Sequence, residues 1–291
     1  MSRFILYNPH AGHGVTEEKI SLLKQVAVEE AELINMTTID SYADFFSSKT
    51  ALDVVVICGG DGTLNRFVND TRGIKIECEL MYLALGTGND FLKDIEGAST
   101  ELEFPIKEYI KDLPTVEING KEYLFINNVG FGIDGYCCEV GDEMKARGKT
   151  DINYTSIAIK GLLFAFKPKN ATVTVDGITH TYKKVWIAPT MNGRFYGGGM
   201  MPTPAQDRLS PDGTLSVMIW HGSGKLRTLT AFPSLFKGEH LKHDKMIEVL
   251  TGNEITVEFD APCALQIDGE TILGVTKYSA KKGARVPANA R

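Results

Sequence analysis

Val54-Val-Val-Ile-Cys-Gly-Gly-Asp-Gly-Thr-Leu-Asn65 runs from a β-branched apolar stretch straight into a glycine-rich loop that carries one aspartate. Consecutive apolar residues bounded by glycine suit a strand covered on both faces of a parallel sheet. Gly59, Gly60 and Gly62 let backbone N–H groups come close to an anion, where a Cβ would clash. The segment from Leu64 to Asn69 has helix-compatible spacing, so its first N–H groups and its dipole point at the same ligand. Strand, glycine loop and helix start together make a phosphate site. Asp61 does not fit phosphate cradling, because a carboxylate repels phosphate unless it holds metal or takes a proton. That conflict points to phosphoryl transfer rather than binding alone.

Around this stretch the first third of the chain alternates strand and helix. Strands are expected at residues 4–7, 34–39, 53–57 and 81–85, and helices at 17–32, 41–48 and 64–69. Residues 81–85 again empty into a glycine loop, Gly86–Asp90. Such alternation implies a doubly wound α/β domain whose ligand site lies beyond the carboxyl ends of the strands. From about residue 115 the texture changes to short strands at 116–118, 123–127, 171–175, 181–188, 215–220 and 255–259. Asn119-Gly120 and Asp176-Gly177 are hairpin dipeptides. One helical insertion is expected at 155–166. This half reads as a mostly antiparallel β-sandwich or distorted barrel, giving domains 1–115 and 116–291, with the C-terminal segment able to return to the first.

Bulk properties bound the function. With 291 residues, 43% hydrophobic and 23% charged, the chain has an ordinary globular composition. A net charge of −6 argues against a general nucleic-acid binder. The five cysteines are odd in number and form no C-x-x-C pair, which reads as reduced thiols. No signal peptide fits residues 1–9, and no window approaches the roughly 18 apolar residues of a membrane span. The expected location is cytoplasmic, with transient contact at the inner face of the membrane. A homodimer is expected on base rates alone.

Six motifs in order carry a resemblance: Asn8-Pro9-x-x-Gly12, Gly59-Gly-Asp-Gly-Thr63, Gly86-Thr-Gly-Asn-Asp-Phe91, Gly130-Phe-Gly-Ile-Asp134, Pro211-Asp-Gly213 and Asp268-Gly-Glu270. Together they resemble the diacylglycerol kinase catalytic-domain family, which includes soluble bacterial lipid kinases and the sphingosine and ceramide kinases. The match runs from Tyr7 to about Val286. Arg66 departs from the acidic residue common at its position. The resemblance implies a two-domain kinase with its active site in the interdomain cleft, using ATP and Mg²⁺ on a membrane lipid.

The same resemblance implies the site residues. Gly59, Gly60, Asp61, Gly62, Thr63, Leu64 and Asn65 would wrap the ATP phosphates, with Thr87 and Asn89 offering groups to phosphate or ribose, and Asn8 and Thr37 facing the nucleotide. Asp61 and Asp90 suit Mg²⁺, which wants oxygen ligands. Glu270 is the first choice for general base and Asp61 the alternative. Asp134 is expected at the lipid head group or a domain junction. Leu209, Asp212 and Thr214 would hold a second, structural cation through one carboxylate and two carbonyls. Residues 160–169 place apolar side chains between lysines, as a membrane-surface segment or a core helix would. Together these residues imply an ATP-dependent lipid kinase acting on diacylglycerol. A sphingoid or other glycerolipid kinase, an NAD kinase-like enzyme and a non-catalytic sensor remain as alternatives.

Overall fold

The structure, a computed structural model, describes residues 2–9, 31–149 and 152–284. Residues 17–30 of the expected first helix, Gly12 and the tail 285–291 lie outside these residues. The chain divides into two compact units, Met1–Lys111 and Asp112–Arg291.

In the first unit, β1 (Arg3–Tyr7), β2 (Ala31–Asn35), β3 (Val54–Gly59), β4 (Glu79–Ala84) and β5 (Phe104–Pro105) form one sheet in the order β2-β1-β3-β4-β5. The first four are parallel and β5 is antiparallel to β4. Alternate residues of β3 serve opposite faces: Val56 and Cys58 pack with Ile5 and Leu83, while Val55 and Ile57 are equally buried. Two covered faces explain the unbroken apolar run. The short helix Tyr42–Ser47 is capped by Ser41, whose Oγ accepts from Asp44 N at 3.1 Å. It lays Phe46 against Phe67 of the helix Asp61–Asp70.

The second unit holds β6 (Thr115–Ile118), β7 (Lys121–Leu124), β8 (Asn128–Gly132), β9 (Lys169–Val175), β10 (Ile178–Val185), β11 (Ile187–Met191), β12 (Leu215–Trp220), β13 (Ile247–Gly252), β14 (Glu254–Ile267) and β15 (Glu270–Lys281). The main path runs β13-β12-β11-β8-β14-β15-β6-β7, with the β9–β10 hairpin joined to β14. Every pairing is antiparallel. Three hairpins turn on Asn119-Gly120, Asp176-Gly177 and Asp268-Gly269, each with positive φ at both residues, the geometry that matches strand twist. β14 pairs with β9 through residues 255–259 and with β8 through 265–267, so one strand serves both layers of the sandwich.

The core between the layers gathers Val116, Phe131, Val173, Val217, Val257 and Tyr278. The outer face of β11 and β12 is covered by the helices Ile133–Ala146, Tyr154–Lys160 and Lys225–Ala231 around Trp186, Met218 and Trp220. β12 therefore sends Val217 one way and Met218 the other, and all six of its residues are buried.

Candidate active site

The carboxyl ends of the parallel strands collect the first group of expected residues. Registers Tyr7↔Asn35, Tyr7↔Cys58 and Gly59↔Ala84 put the ends of β1 to β4 along one edge of the sheet. Asn8 follows β1 directly, Thr37 sits in the turn after β2, and the two glycine loops follow β3 and β4. This edge, where the chain reverses its order between β1 and β3, is where open α/β sheets bind ligands.

The two loops meet backbone to backbone. A Cβ on Gly86 would lie 2.7 Å from the Gly60 Cα, and one on Gly59 would lie 2.5 Å from the Thr63 side chain. The Gly59 carbonyl is held from two sides, by Tyr82 Oη and by Leu85 N, both at 2.9 Å. Gly62 is exposed, and a Cβ there would meet nothing within 4 Å. The helix begins at Asp61 with Gly60 as its cap, three residues earlier than expected. Its interior residues are consequently committed to the fold: Leu64 is fully buried with its N–H on the Gly60 carbonyl, and Thr63 and Asn65 are buried. Open backbone narrows to Gly60–Gly62.

Asp61 clamps the second loop to the first. Its Oδ2 accepts from Asp90 N at 2.9 Å and its Oδ1 from Phe91 N at 3.0 Å. Asp90 is 3% exposed, with Lys93 Nζ 3.6 Å away. Each carboxylate oxygen keeps further lone pairs, so the adjacent Asp61 and Asp90 fit a cation that takes one or two carboxylates plus phosphate oxygens. Asn89 stands at φ 51° and donates its Nδ2 to the Gly86 carbonyl at 2.8 Å, which leaves its buried Oδ1 without a donor. An acceptor lacking a donor suits a cation or a hydroxyl rather than a phosphate oxygen. Thr87 is exposed. Thr37 is exposed and donates to Asn35 Oδ1 at 2.8 Å. Burial pushes the Cys58 thiol beneath the loop up to about 12, so it stays neutral.

In the second unit Asp134 is tied to the turn that precedes Glu270 through Gln266, a residue not expected from the sequence. Gln266 on β14 donates its Nε2 to Asp134 Oδ2 at 3.2 Å, and its Oε1 accepts from Gly269 N at 3.0 Å. Its one sequence signal is a polar residue within the buried apolar end of the strand, Ala264–Ile267. Asp134 also accepts from Gly135 N, and burial raises its carboxyl to about 6. Asp268 accepts from three successive backbone groups, Ile126 N, Asn127 N and Asn128 N, at 2.6, 2.8 and 2.9 Å. The Asp268-Gly269 turn is thus fixed to the start of β8, and it presents Glu270, exposed, as the first residue of β15.

The segment from Leu209 to Thr214 is a tight turn in which Gly213 N donates to the Ser210 carbonyl at 3.1 Å. Asp212 is exposed. The Thr214 carbonyl accepts from Gln206 Nε2 at 2.9 Å, and the Asp212 carbonyl accepts from Asn253 Nδ2. Carbonyls with a second lone pair and one carboxylate are donors that fit a hard cation. Among the described residues no three His, Cys, Asp or Glu side chains cluster as a metal site.

Comparison with known proteins agrees with this architecture. Residues 2–116 match the diacylglycerol kinase catalytic domain, and residues 127–281 match the YegS C-terminal NAD kinase beta sandwich-like domain. A Mycobacterium tuberculosis protein named diacylglycerol kinase is 26% identical over 272 residues, covering 88% of this chain and 84% of its own length. A Bacillus subtilis protein provisionally named lipid kinase YtlR is 24% identical over 302 residues, covering 94% of each. A crystal structure described as a diacylglycerol kinase from Bacillus anthracis shares the fold, with TM-score 0.58, 21% identity and coverage of 99% and 98%. With both halves matched in order, the chain belongs to the diacylglycerol kinase catalytic-domain family of lipid kinases.

Proposed function

We propose that this lipid kinase transfers the γ-phosphoryl group of ATP to the free hydroxyl of diacylglycerol, giving phosphatidic acid, at the cytoplasmic face of a membrane. The observation that carries the reading is the clamp of Asp61 across two glycine loops packed backbone to backbone. It leaves the N–H edge at Gly60–Gly62 open for phosphate and sets two carboxylates beside it. In this reading Gly60–Gly62 receive the phosphates, with Asn89 Oδ1, Thr87, Asn8 and Thr37 facing ribose and base. Mg²⁺ held by Asp61 and Asp90 would neutralise charge on the transferred group.

Glu270 then takes the proton of the lipid hydroxyl as its oxygen bonds to the γ-phosphorus and the bond to ADP breaks. Asp61 is the weaker candidate for that task, because both its oxygens already accept backbone N–H groups, whereas Glu270 stands exposed on a rigid turn. Asp134, buried and tied to Gln266, acts as a positioning residue for that turn. Asp212, with the carbonyls of Leu209 and Thr214, is proposed as a structural cation site.

The test supplies γ-labelled ATP to the protein with a total lipid extract and, separately, with NAD. NAD is included because the second domain is described as NAD kinase-like in its sandwich. Label is expected in phosphatidic acid, and Glu270→Gln should lower turnover by about 10²–10⁴-fold, the worth of a general base. Label found only in NAD, or full turnover by Glu270→Gln, would overturn the respective part.

A further inference from the structure

Ten large hydrophobic side chains stand exposed among the described residues, and six of them fall in two segments, residues 154–166 and 225–242. These segments share one apolar core that includes Leu162, Phe166, Ala231 and Leu235. At their outer ends Lys225 Nζ donates to the Leu163 carbonyl at 2.9 Å, which brings the tip of one helix onto the turn of the other. Phe164 is 78% exposed and Leu226 is 74% exposed. Isolated exposed apolar residues need no explanation, but a gathering of them does.

Local structure forces Phe164 outward. The helix Tyr154–Lys160 widens into a five-residue turn, Gly161–Ala165, closed by Phe166 N on the Gly161 carbonyl at 2.8 Å. Gly161 is pressed against Tyr136, where a Cβ would lie at 2.6 Å, while Leu162 and Phe166 enter the core. Phe164 is left on the far side of the turn, exposed.

The sequence around these tips is basic, and the first acid of the second segment, Glu239, lies beyond its basic stretch with Lys242 Nζ 3.4 Å away. Residues 152–175 contain three lysines and no acid, and residues 221–238 contain two lysines, one arginine and no acid, in a chain of net charge −6. Lys169 is drawn away to the carbonyls of Ala261 and Pro262. Lys160, Lys167, Lys225 and Arg227 are all exposed. We infer that the tips formed by Phe164 and Leu226 insert into the headgroup layer of an anionic bilayer, with Lys160, Lys167 and Arg227 against the lipid phosphates. An apolar wedge with a basic rim is the chemistry that binds such an interface. The inference deepens the lipid-kinase reading and rests on it, since a diacylglycerol acceptor resides in a membrane.

The test is sedimentation of the full chain with vesicles of phosphatidylcholine and phosphatidylglycerol in equal parts, and with phosphatidylcholine alone. Wild type should bind the mixed vesicles, lose binding as salt shortens the screening length, and bind the neutral vesicles poorly. Phe164→Asp and Leu226→Asp should each weaken binding by about tenfold or more, and Lys160→Glu with Lys167→Glu should remove most of the salt dependence. All variants should melt as wild type and phosphorylate a short-chain diacylglycerol in detergent at the wild-type rate. Wild-type vesicle binding by both aspartate variants would overturn the inference. So would equal binding to neutral vesicles, or self-association of wild type that Phe164→Asp abolishes while vesicle binding persists. Vesicle binding that depends on Phe164 in a protein that phosphorylates no lipid would instead sink the functional reading and leave the docking surface standing.

Discussion

Replacing Asp61 by alanine removes more than a proposed metal ligand. Its two oxygens each accept one backbone N–H, from Asp90 and Phe91, and the residue sequence places them 29 and 30 positions away. A hydrogen bond to a charged acceptor contributes about 1.5–3 kcal/mol, and a half-buried carboxylate calls for the lower end, so losing both costs roughly 2–3 kcal/mol. For a unit of about 110 residues, at about 4 °C per kcal/mol, the first unit should melt roughly 8–12 °C lower. The assay is a pair of measurements on each variant: thermal unfolding followed by circular dichroism, and phosphoryl transfer well below the lowered midpoint. Glu270→Gln is the reference, because its exposed side chain should leave the melting curve unmoved while activity falls. An Asp61→Ala protein that melts within about 2 °C of wild type would refute the clamp. The variant's lost activity would then report on chemistry alone.

Two other expectations follow from packing and burial. Gly86→Ala drives a methyl against the Gly60 Cα at 2.7 Å and Asn89 Oδ1 at 2.9 Å; overpacking of this kind costs about 1–3 kcal/mol, and ATP affinity measured by calorimetry should fall with it, whereas Gly62→Ala has room and should stay as stable as wild type. Asp134 is raised from 3.8 to about 6 in the folded protein by burial, so its protonated form favours folding below pH 4 and that contribution is lost as pH rises through about 6. Asp134→Asn should therefore gain on wild type by up to about 3 kcal/mol between pH 4 and 7 in urea titrations; a difference that stays flat across that window would show that the carboxyl is not held neutral.

The parts legible in the sequence were those whose pattern is set locally. β12 occupies residues 215–220 as expected, because five apolar residues broken only by Ser216 suit a strand covered on both faces. The Asn-Gly and Asp-Gly hairpins were legible for the same reason. β8 was not legible because Asn127-Asn-Val-Gly-Phe-Gly132 resembles a loop: Gly130 is required where a Cβ would meet the Pro189 Cα at 2.7 Å, and Gly132 lies at φ 129° against the Trp186 carbonyl. The helix Ile133–Ala146 was masked by Gly135 and Gly141, which make room for the Ala264 carbonyl and the Tyr154 ring. β14 was expected to stop at Phe259, yet it continues to Ile267 through a register shift that absorbs Pro262. The strand expected at 34–39 instead ends at Asn35, whose side chain accepts from Thr37 N and turns the chain. Within the site, the glycine loops could be read directly. The Asp61 clamp, the Gln266 bridge and the triple acceptance by Asp268 could not, because each joins residues remote in sequence.

The pairing of β15 with β6 sets the order of events during synthesis. Ser279, Ala280 and Lys281 lie opposite Glu117, Val116 and Thr115, so the first strand of the second unit waits for its last. A growing chain can close the first unit's parallel sheet while more than half of the polypeptide is still unmade. The sandwich stays open at that seam until residue 281 has been made, with β6 paired only to β7 and its other edge bare in the meantime. During that interval the bare edge of β6 is open to pairing with another strand.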